Sequence, residues 1–161
     1  MSDHLRIRLA VPVDADAIAV LSRTEIEYGL PWRWTPPRVQ RAIRDPATNV
    51  VVASQGGPLV AFGIMYYRDT VAHLNLLAVR PDARRQGIGG AVLTWLENVA
   101  SVAGISSVRL EARQDNVAAR AFYRKHGYCE RASVLGMYLG MEDGVRLEKV
   151  LTRAREGLRG T

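Results

Sequence analysis

The hydrophobic residues of this chain change their spacing twice between Val71 and Ala112, and this constrains the fold more than any other feature. Val71–Val79 is rich in aliphatic residues and ends at Arg80-Pro81, which predicts a strand. Apolar residues then recur every three or four positions over Gly89–Ala103, which predicts an amphipathic helix. Ser107–Ala112 returns to alternation. A strand, a helix and a strand in this order predict a parallel pair of strands joined by a crossover helix.

The segments on either side of this unit add further strands and helices. Before it, two helices separate a strand at Leu5–Leu9 from strands at Asn49–Ser54 and Leu59–Tyr67. After it come a helix from Asp115 or Asn116 to Gly127 and two strands, Tyr128–Val134 and Val145–Leu151, around a Gly140–Gly144 connection. The sequence therefore predicts an α+β fold: a mixed, mostly antiparallel sheet with a central parallel strand-helix-strand pair and helices on both faces. No linker or repeat is present, so we expect residues 1–161 to form a single domain.

Charge and cysteine content narrow the class of protein. The chain has 22 basic and 16 acidic residues, a net charge of +6, and residues 80–161 contribute 14 − 9 = +5 of it. Such an excess favours nucleic acid, a membrane surface or a phosphorylated small molecule as partner. The single cysteine, Cys129, excludes an intrachain disulfide and a cysteine zinc site, and we expect no metal. Neither a signal peptide nor a membrane span is predicted, so we expect a cytoplasmic protein.

A glycine-rich segment lies between the strand at 71–79 and the following helix. Its residues are Arg84, Arg85, Gln86, Gly87, Ile88, Gly89 and Gly90. Glycines permit a tight turn, the helix N-terminus offers unpaired N–H donors, and arginine binds phosphate through two donors. The segment therefore suits a pyrophosphate. From these residues alone, a turn with solvated arginines is the simpler alternative.

A second segment, Asn116–Tyr128, follows the strand at 107–112. Asn116, Arg120 and Tyr123 are four and three positions apart, so they share one helix face that could line a cleft. Together the two segments resemble the GNAT superfamily of N-acetyltransferases. Its motif R/Q-x-x-G-x-G/A is matched by Arg84, Gly87 and Gly89, and its motif N-x-x-A-x-x-F/L-Y-x-x-x-G-F/Y by Asn116, Ala119, Phe122, Tyr123, Gly127 and Tyr128. The order of elements fits this family over essentially the whole chain.

The resemblance implies acetyl-CoA as cosubstrate and transfer of its acetyl group to a primary amine by direct attack on the thioester. The N–H groups of residues 85–90 would hold the pyrophosphate. The backbone of Leu77 and Val79 would pair with the pantetheine arm where two strands splay apart, and the Leu77 amide would donate to the thioester carbonyl. Asn116 would hydrogen-bond the pantetheine. Tyr123 stands where the family often keeps a tyrosine that protonates the departing thiolate, and orienting the sulfur is its alternative role.

Two residues are candidates for the base that deprotonates the acceptor amine. Glu111 lies in a Leu-Glu-Ala-Arg string similar to that of bacterial ribosomal-protein-alanine N-terminal acetyltransferases. His73 lies six residues before Val79, where several family members carry a catalytic Glu or His. Alternatively, Glu111 pairs with Arg109 or Arg113, His73 is an ordinary strand residue, and water takes the proton. An α-amine with a pKa of about 8 needs a base less than a lysine at about 10.4 does.

Acceptor binding is expected in the segment that follows the first predicted helix. Glu25, Tyr28 and Trp32 lie there with Glu27 and Trp34. Carboxylates and aromatic rings suit an ammonium group, by charge and by cation–π attraction. A loop whose tryptophans cover the core is the alternative.

The C-terminal part bears on the choice of acceptor. Met137–Leu147 is similar to the Tyr-Tyr…Glu-Asp-Ala-x-x-Met signature of N-terminal acetyltransferases, with Tyr138 as the second tyrosine and with Met137 and Gly144 in place of the first tyrosine and the alanine. The resemblance implies a protein N-terminal α-amine as acceptor, held in part by Tyr138. A small-molecule amine or amino-acid-like metabolite is the alternative, and a non-catalytic acyl-CoA-binding module is the alternative of another class. We expect no nucleic-acid or membrane partner, and a homodimer, common in this family, stays open.

Overall fold

The computed structural model describes residues 4–151. Its strands are β1 (Leu5–Leu9), β2 (Thr48–Gln55), β3 (Leu59–Arg68), β4 (Val71–Val79), β5 (Ser107–Arg113), β6 (Cys129–Tyr138) and β7 (Glu142–Val150). Its α-helices are α1 (Ala15–Glu25), α2 (Pro36–Arg44), α3 (Ile88–Val102) and α4 (Val117–Lys125), with short 3-10 turns at Pro12–Asp14 and Pro81–Ala83. The predicted order of elements is confirmed. Within this described part of the chain, no helix is long and apolar enough to cross a membrane.

The seven strands form one mixed sheet in the order β1-β2-β3-β4-β5-β7-β6. β4 and β5 are parallel and pair Val71–His73 with Ser107–Arg109. β1 with β2, β2 with β3, β5 with β7 and β6 with β7 are antiparallel. The predicted α+β class, with one parallel pair joined through a helix, is therefore confirmed.

The described chain forms two compact units. The first contains the residues up to Tyr66 together with Leu74–Val99, and the second contains Tyr67–His73 together with the residues from Ala100 onward. That residues 1–161 form a single domain stays a prediction.

The first unit has helices on both faces of its strands. Phe62 of β3 is buried in one cluster with Ile18 of α1 and Val39 of α2. Gly63 points to the opposite face, because successive residues of a strand alternate. A Cβ added to Gly63 would lie 2.8 Å from Cδ1 of Leu96 in α3. Two helices therefore cover one face of this unit and α3 covers the other.

The second unit separates apolar and polar residues along β5. Val108, Leu110 and Ala112 are buried, whereas Arg109 and Glu111 are exposed. This alternation is the one that the sequence predicts for a half-buried strand. It leaves a polar face of β5 on which Glu111 lies.

The last two strands are longer than predicted, so the prediction of a Gly140–Gly144 connection is wrong in its extent. β6 continues to Tyr138 and β7 begins at Glu142. The chain reverses at Leu139, which has φ 57°, and the Met141 N–H donates to the Tyr138 carbonyl at 2.9 Å. Gly144 looks like a turn residue in the sequence but lies within β7.

Candidate active site

The glycine-rich segment is an exposed loop that leads into α3. Arg85 and Gly87 have φ of 65° and 77°, a left-handed region that costs a non-glycine residue about 1–3 kcal/mol. Loops that include left-handed residues can turn successive N–H groups to one side and form a concavity for an anion. The first N–H groups of α3, from Ile88 onward, also lack helical partners, as at any helix start. The backbone of this segment therefore fits the pyrophosphate group that the motif predicts.

Arg84 connects this loop to two other elements of the first unit. Its Nη2 donates to Oε1 of Glu25, the last residue of α1, at 2.6 Å. Its Nε donates to the carbonyl of Val79, the last residue of β4, at 3.3 Å. The side chain of Gln86, two residues after Arg84, accepts a hydrogen bond from Nε2 of Gln55 at 3.3 Å. Glu25, expected to bind the acceptor, is thus paired with a residue expected to bind the cofactor.

The remaining cofactor residues of the first unit lie in regular elements. Leu77 and Val79 are half-buried and alternate with the buried Leu76 and Ala78 along β4. Gly89 and Gly90 are half-buried in the first turn of α3. Their expected contacts are made by backbone groups and stay predictions.

The second unit brings the two base candidates together. His73 pairs in register with Arg109 across the parallel strands, and Glu111 lies two residues further along the same face of β5. Nε2 of His73 lies 2.5 Å from Oε2 of Glu111, so the imidazole N–H donates a hydrogen bond to the carboxylate. The exposed fractions of the two side chains are 37% and 33%. The residues that the sequence offers as alternatives form one pair.

The two arginines considered as partners of Glu111 bind other carboxylates, so that alternative is wrong. Nε of Arg109 donates to Glu148 at 2.7 Å. Nη1 of Arg113 lies 3.7 Å from a carboxylate oxygen of Glu142. Both partners lie in β7, whose position beside β5 the sequence does not show.

Electrostatics keep Glu111 ionised. The hydrogen bond from His73 is the largest influence and lowers the pKa of Glu111, while burial acts in the opposite direction. The charges of His73 and Arg146 lower this pKa further, and Arg146 lies directly opposite Glu111 in β7. A proton acceptor works best when its pKa is close to the working pH. With a lowered pKa, Glu111 is a weak base and a good hydrogen-bond acceptor for His73.

Tyr123 is a buried phenol that retains its proton. The residue is 8% exposed, and its ring contacts Phe122 and Tyr128 edge-on, with centroids 5.1 and 5.6 Å apart. Burial, and secondarily the charge of Tyr138, raises the pKa of Tyr123 well above its ordinary value. Burial and the charge of Glu111 also raise the pKa of Tyr138, to about 12. Tyr123 is therefore protonated at neutral pH, and its raised pKa makes it a weaker acid than an ordinary phenol.

Two of the three residues predicted to share a face of α4 bind groups of the protein itself. Oδ1 of Asn116 accepts from the Ala119 N–H at 3.1 Å and caps the helix, so its amide nitrogen is the group suited to a cofactor. Arg120 donates twice to the Glu130 carboxylate, at 2.8 and 3.0 Å, and once to the Gln114 carbonyl at 2.7 Å. The expectation that Arg120 lines a ligand cleft is therefore corrected: it links α4 to β6.

A buried carboxylate organises the aromatic segment between α1 and α2. Glu27 is 8% exposed. It accepts hydrogen bonds from the Ser22 hydroxyl at 2.8 Å and from the backbone N–H groups of Arg33 and Trp34 at 2.7 and 3.2 Å. Three donors occupy it, so Glu27 shapes the loop rather than attracting an ammonium group.

The tryptophans of this segment cover the core, as the second interpretation of the aromatic segment predicts. Trp32 and Trp34 pack against the buried cluster of the first unit. The guanidinium groups of Arg23 and Arg38 lie over their rings, 5.0 and 3.9 Å from the centroids. Tyr28 is 47% exposed. Acceptor binding by Tyr28 and Trp32 stays a prediction.

The two departures from the N-terminal acetyltransferase signature contact each other. A Cβ added to Gly144 would overlap Sδ of Met137 and lie 3.0 Å from Cε2 of Tyr138. The alanine of the signature would therefore require the Met137 side chain to shift. The two departures lie next to each other and next to the tyrosine expected to hold the acceptor.

Sequence reasoning identified His73 and Glu111 but missed their partnership and missed Arg146. The alternation in β5 indicated which face Glu111 occupies. The register of β4 and β7 against β5 decides what lies beside it, and no local pattern carries that register.

Comparison with known proteins agrees with this arrangement. The family model described as "Acetyltransferase (GNAT) family" matches residues 17–128, a range that contains both motif segments. The [ribosomal protein bS18]-alanine N-acetyltransferase of Escherichia coli K12 is 36% identical over 91 residues, which are 56% of this chain and 61% of that protein. The chain thus matches less than two thirds of the length of this relative.

Two solved structures share the fold over nearly the whole chain. The ribosomal-protein-S18-alanine N-acetyltransferase from Escherichia coli has a TM-score of 0.78 at 25% identity and covers 94% of this chain and 96% of its own. The PaiA N-acetyltransferase from Thermoplasma acidophilum, solved in complex with coenzyme A, has a TM-score of 0.79 at 18% identity and covers 92% and 99%. Because the family model matches residues 17–128, which are most of this chain, the chain belongs to the acetyltransferase (GNAT) family.

Proposed function

We propose that this protein transfers an acetyl group from acetyl-CoA to a primary amine, with a protein N-terminal α-amine as the acceptor. The observation that carries the proposal is the family match over residues 17–128, which includes the glycine-rich loop and α4. A solved relative of the same fold binds coenzyme A. The similarity to ribosomal-protein-alanine acetyltransferases supports the choice of acceptor. We also propose a cytoplasmic location, because acetyl-CoA is the cosubstrate.

A turnover screen tests this function. Release of the free thiol of CoA would be followed with acetyl-CoA and peptides that have a free α-amine, the same peptides with a blocked N-terminus, and a panel of small amines. We expect turnover with the free peptides and none with the blocked ones. Turnover with small amines alone would show that the acceptor is a small-molecule amine and not a peptide. Binding of CoA without any turnover would support a non-catalytic module.

Different residues of the chain would bind different parts of the cosubstrate, which supplies an acetyl thioester. The loop from Arg85 to Gly90 would bind the pyrophosphate through backbone N–H groups, because its left-handed residues and the start of α3 provide them. The backbone of Leu77 and Val79 would hold the pantetheine arm. The Leu77 N–H would stabilise the oxyanion that forms when the amine attacks.

The proton from the acceptor amine would go to the His73–Glu111 pair. Glu111 accepts the imidazole N–H, so it orients the ring and stabilises the imidazolium that forms. His73 is the better acceptor of the two, because an imidazole has a reference pKa of about 6.5 while the pKa of Glu111 is lowered. An α-amine with a pKa of about 8 can lose its proton to such a pair at neutral pH. Tyr123 would protonate the departing thiolate.

Kinetics of three variants test the pair. We expect Glu111→Gln and His73→Gln each to lower kcat/KM about 10²–10⁴-fold, the range for loss of a general base. The double variant should be little worse than either single variant, because residues that act as a unit are not additive. The acid limb of the pH–rate profile of the wild type should disappear in His73→Gln.

Glu148→Gln is the matched control, because it removes a carboxylate that pairs with Arg109 on the same face of β5. It should leave kcat/KM within about two-fold, as expected for an exposed ion pair. Full activity of His73→Gln with loss of activity in Glu111→Gln would assign the base to Glu111 alone. Full activity of both variants would indicate that water accepts the proton of the amine.

A further inference from the structure

We propose that Glu25 is a positioning residue for the cofactor loop and not a ligand of the acceptor; this inference rests on the proposed use of acetyl-CoA. Glu25 ends α1 and accepts from Nη2 of Arg84 at 2.6 Å. Its side chain is only 18% exposed, whereas that of Arg84 is 53% exposed. The carboxylate is thus directed into the protein, towards the start of the loop.

Arg84 uses both ends of its guanidinium group to hold the loop. Nη2 bonds Glu25 and Nε bonds the carbonyl of Val79 at 3.3 Å. The end of α1 and the end of β4 are therefore both bound by one side chain, that of the first residue of the glycine-rich loop. Gln55 of β2 holds Gln86 from another side at 3.3 Å.

The loop needs such contacts because its conformation is strained. Arg85 has φ 65°, which a residue with a side chain adopts only when its surroundings impose it. The residues on both sides of Arg85 are the ones tied down, Arg84 by Glu25 and Val79, and Gln86 by Gln55. Removing one of these contacts would let the loop backbone relax. Ordering its N–H groups around a pyrophosphate would then cost conformational entropy and weaken cofactor binding.

Electrostatic repulsion alone predicts the opposite change in CoA affinity when Glu25 is removed. The sign of that change therefore tests the inference. A carboxylate near a site for phosphates repels them, so its removal by charge alone would tighten cofactor binding. If Glu25 acts through Arg84 instead, its removal weakens binding. An acceptor ligand would change the acceptor KM and leave CoA binding alone.

The experiment measures CoA binding by calorimetry in the wild type, Glu25→Gln, Arg84→Gln and the double variant. We expect Glu25→Gln to raise the Kd of CoA about two- to five-fold, as for loss of a partly exposed ion pair. The KM for acetyl-CoA should rise in parallel, and the KM for the acceptor should not change. The double variant should bind CoA like Arg84→Gln, because Glu25 has no effect without its partner.

Asp82→Asn is the matched control. Asp82 pairs with Arg80 at 2.7 Å, lies two residues before Arg84 and is 67% exposed. The Asp82→Asn variant loses the same negative charge without losing a contact that holds the loop. It should not weaken CoA binding. Melting temperatures of all variants verify that each is folded.

Three outcomes would overturn the inference. Unchanged or tighter binding of CoA to Glu25→Gln would show that the loop does not depend on this carboxylate. A higher acceptor KM in Glu25→Gln with an unchanged Kd for CoA would return Glu25 to the acceptor. A wild-type protein that does not bind CoA would overturn the proposed function and this inference with it.

Discussion

Replacement of Gly144 by alanine tests whether the β6–β7 hairpin positions Tyr138. The added Cβ would overlap Sδ of Met137 and approach Cβ of Met137 and Cε2 of Tyr138 to 3.0 Å each. Gly144 of β7 is buried and pairs with Arg113 of β5, so the strand cannot simply move away. Overpacking of this kind costs about 1–3 kcal/mol. At about 3 °C per kcal/mol for a chain of this size, the melting temperature should fall by about 3–9 °C.

The same substitution should also affect turnover. The ring of Tyr138 is one of the groups that must give way, by a few tenths of an ångström, whereas a displacement of about 1 Å in a site can cost about 10²-fold in rate. We therefore expect Gly144→Ala to lower kcat/KM for the acceptor about 2- to 10-fold, while the Kd of CoA stays unchanged. Thermal unfolding, turnover and CoA calorimetry on one preparation measure the three quantities.

Two further variants identify the cause. Gly57→Ala is the control, because nothing lies within 4 Å of its added Cβ, and it should change neither stability nor rate. Met137→Ala in the Gly144→Ala background removes the overlapping sulfur and should restore part of the stability and rate, with a coupling of about 0.5–3 kcal/mol. Additive effects of the two substitutions, or a Gly144→Ala variant as stable and active as the wild type, would refute the reasoning.

Gly63→Ala should destabilise the first unit by about 1–3 kcal/mol in urea unfolding, because its Cβ would lie 2.8 Å from Leu96 and 3.2 Å from Val92; stability equal to that of Gly57→Ala would contradict this packing. Glu111→Gln should lose stability in a pH-dependent way. The folded-state pKa of Glu111 is lowered, so its charge stabilises the fold above the unfolded pKa of about 4.3 and this contribution is lost as the pH falls through the folded value. The stability gap to the wild type should therefore narrow as the pH falls below the unfolded value; a gap that widens as the pH falls would argue against the sign.

The site shows where inference from sequence stops. Glu111 and Tyr123 were recognised because their neighbours in the chain form motifs, and motifs are local. The partner of Glu111 is 38 residues away. The sequence also offers two nearer arginines, Arg109 and Arg113, and does not show that their carboxylate partners lie in β7. The same holds for Glu25, whose partner Arg84 is 59 residues away. A carboxylate beside aromatic residues suggests a cation site, although its charge is satisfied by a residue from another part of the chain.

The hairpin at the C-terminus shows the opposite error, in which a local pattern predicts too much. A glycine next to two acidic residues is typical of a turn, but Gly144 lies within β7, and the Met137 side chain of β6 approaches the place where its Cβ would be. The glycine therefore meets a close approach here and does not mark a turn.

By itself, the sequence determined the order of strands and helices, the parallel pair around α3 and the glycine-rich loop. Hydrophobic period, proline and glycine act within a few residues, so each of these can be recognised from its own segment. Only the tertiary structure decided that His73 bonds Glu111, that Arg84 bonds Glu25 and that Arg120 bonds Glu130. Those pairs depend on strand register and on how helices pack. Register and packing arise from burial summed over the whole chain, and no single segment contains that information.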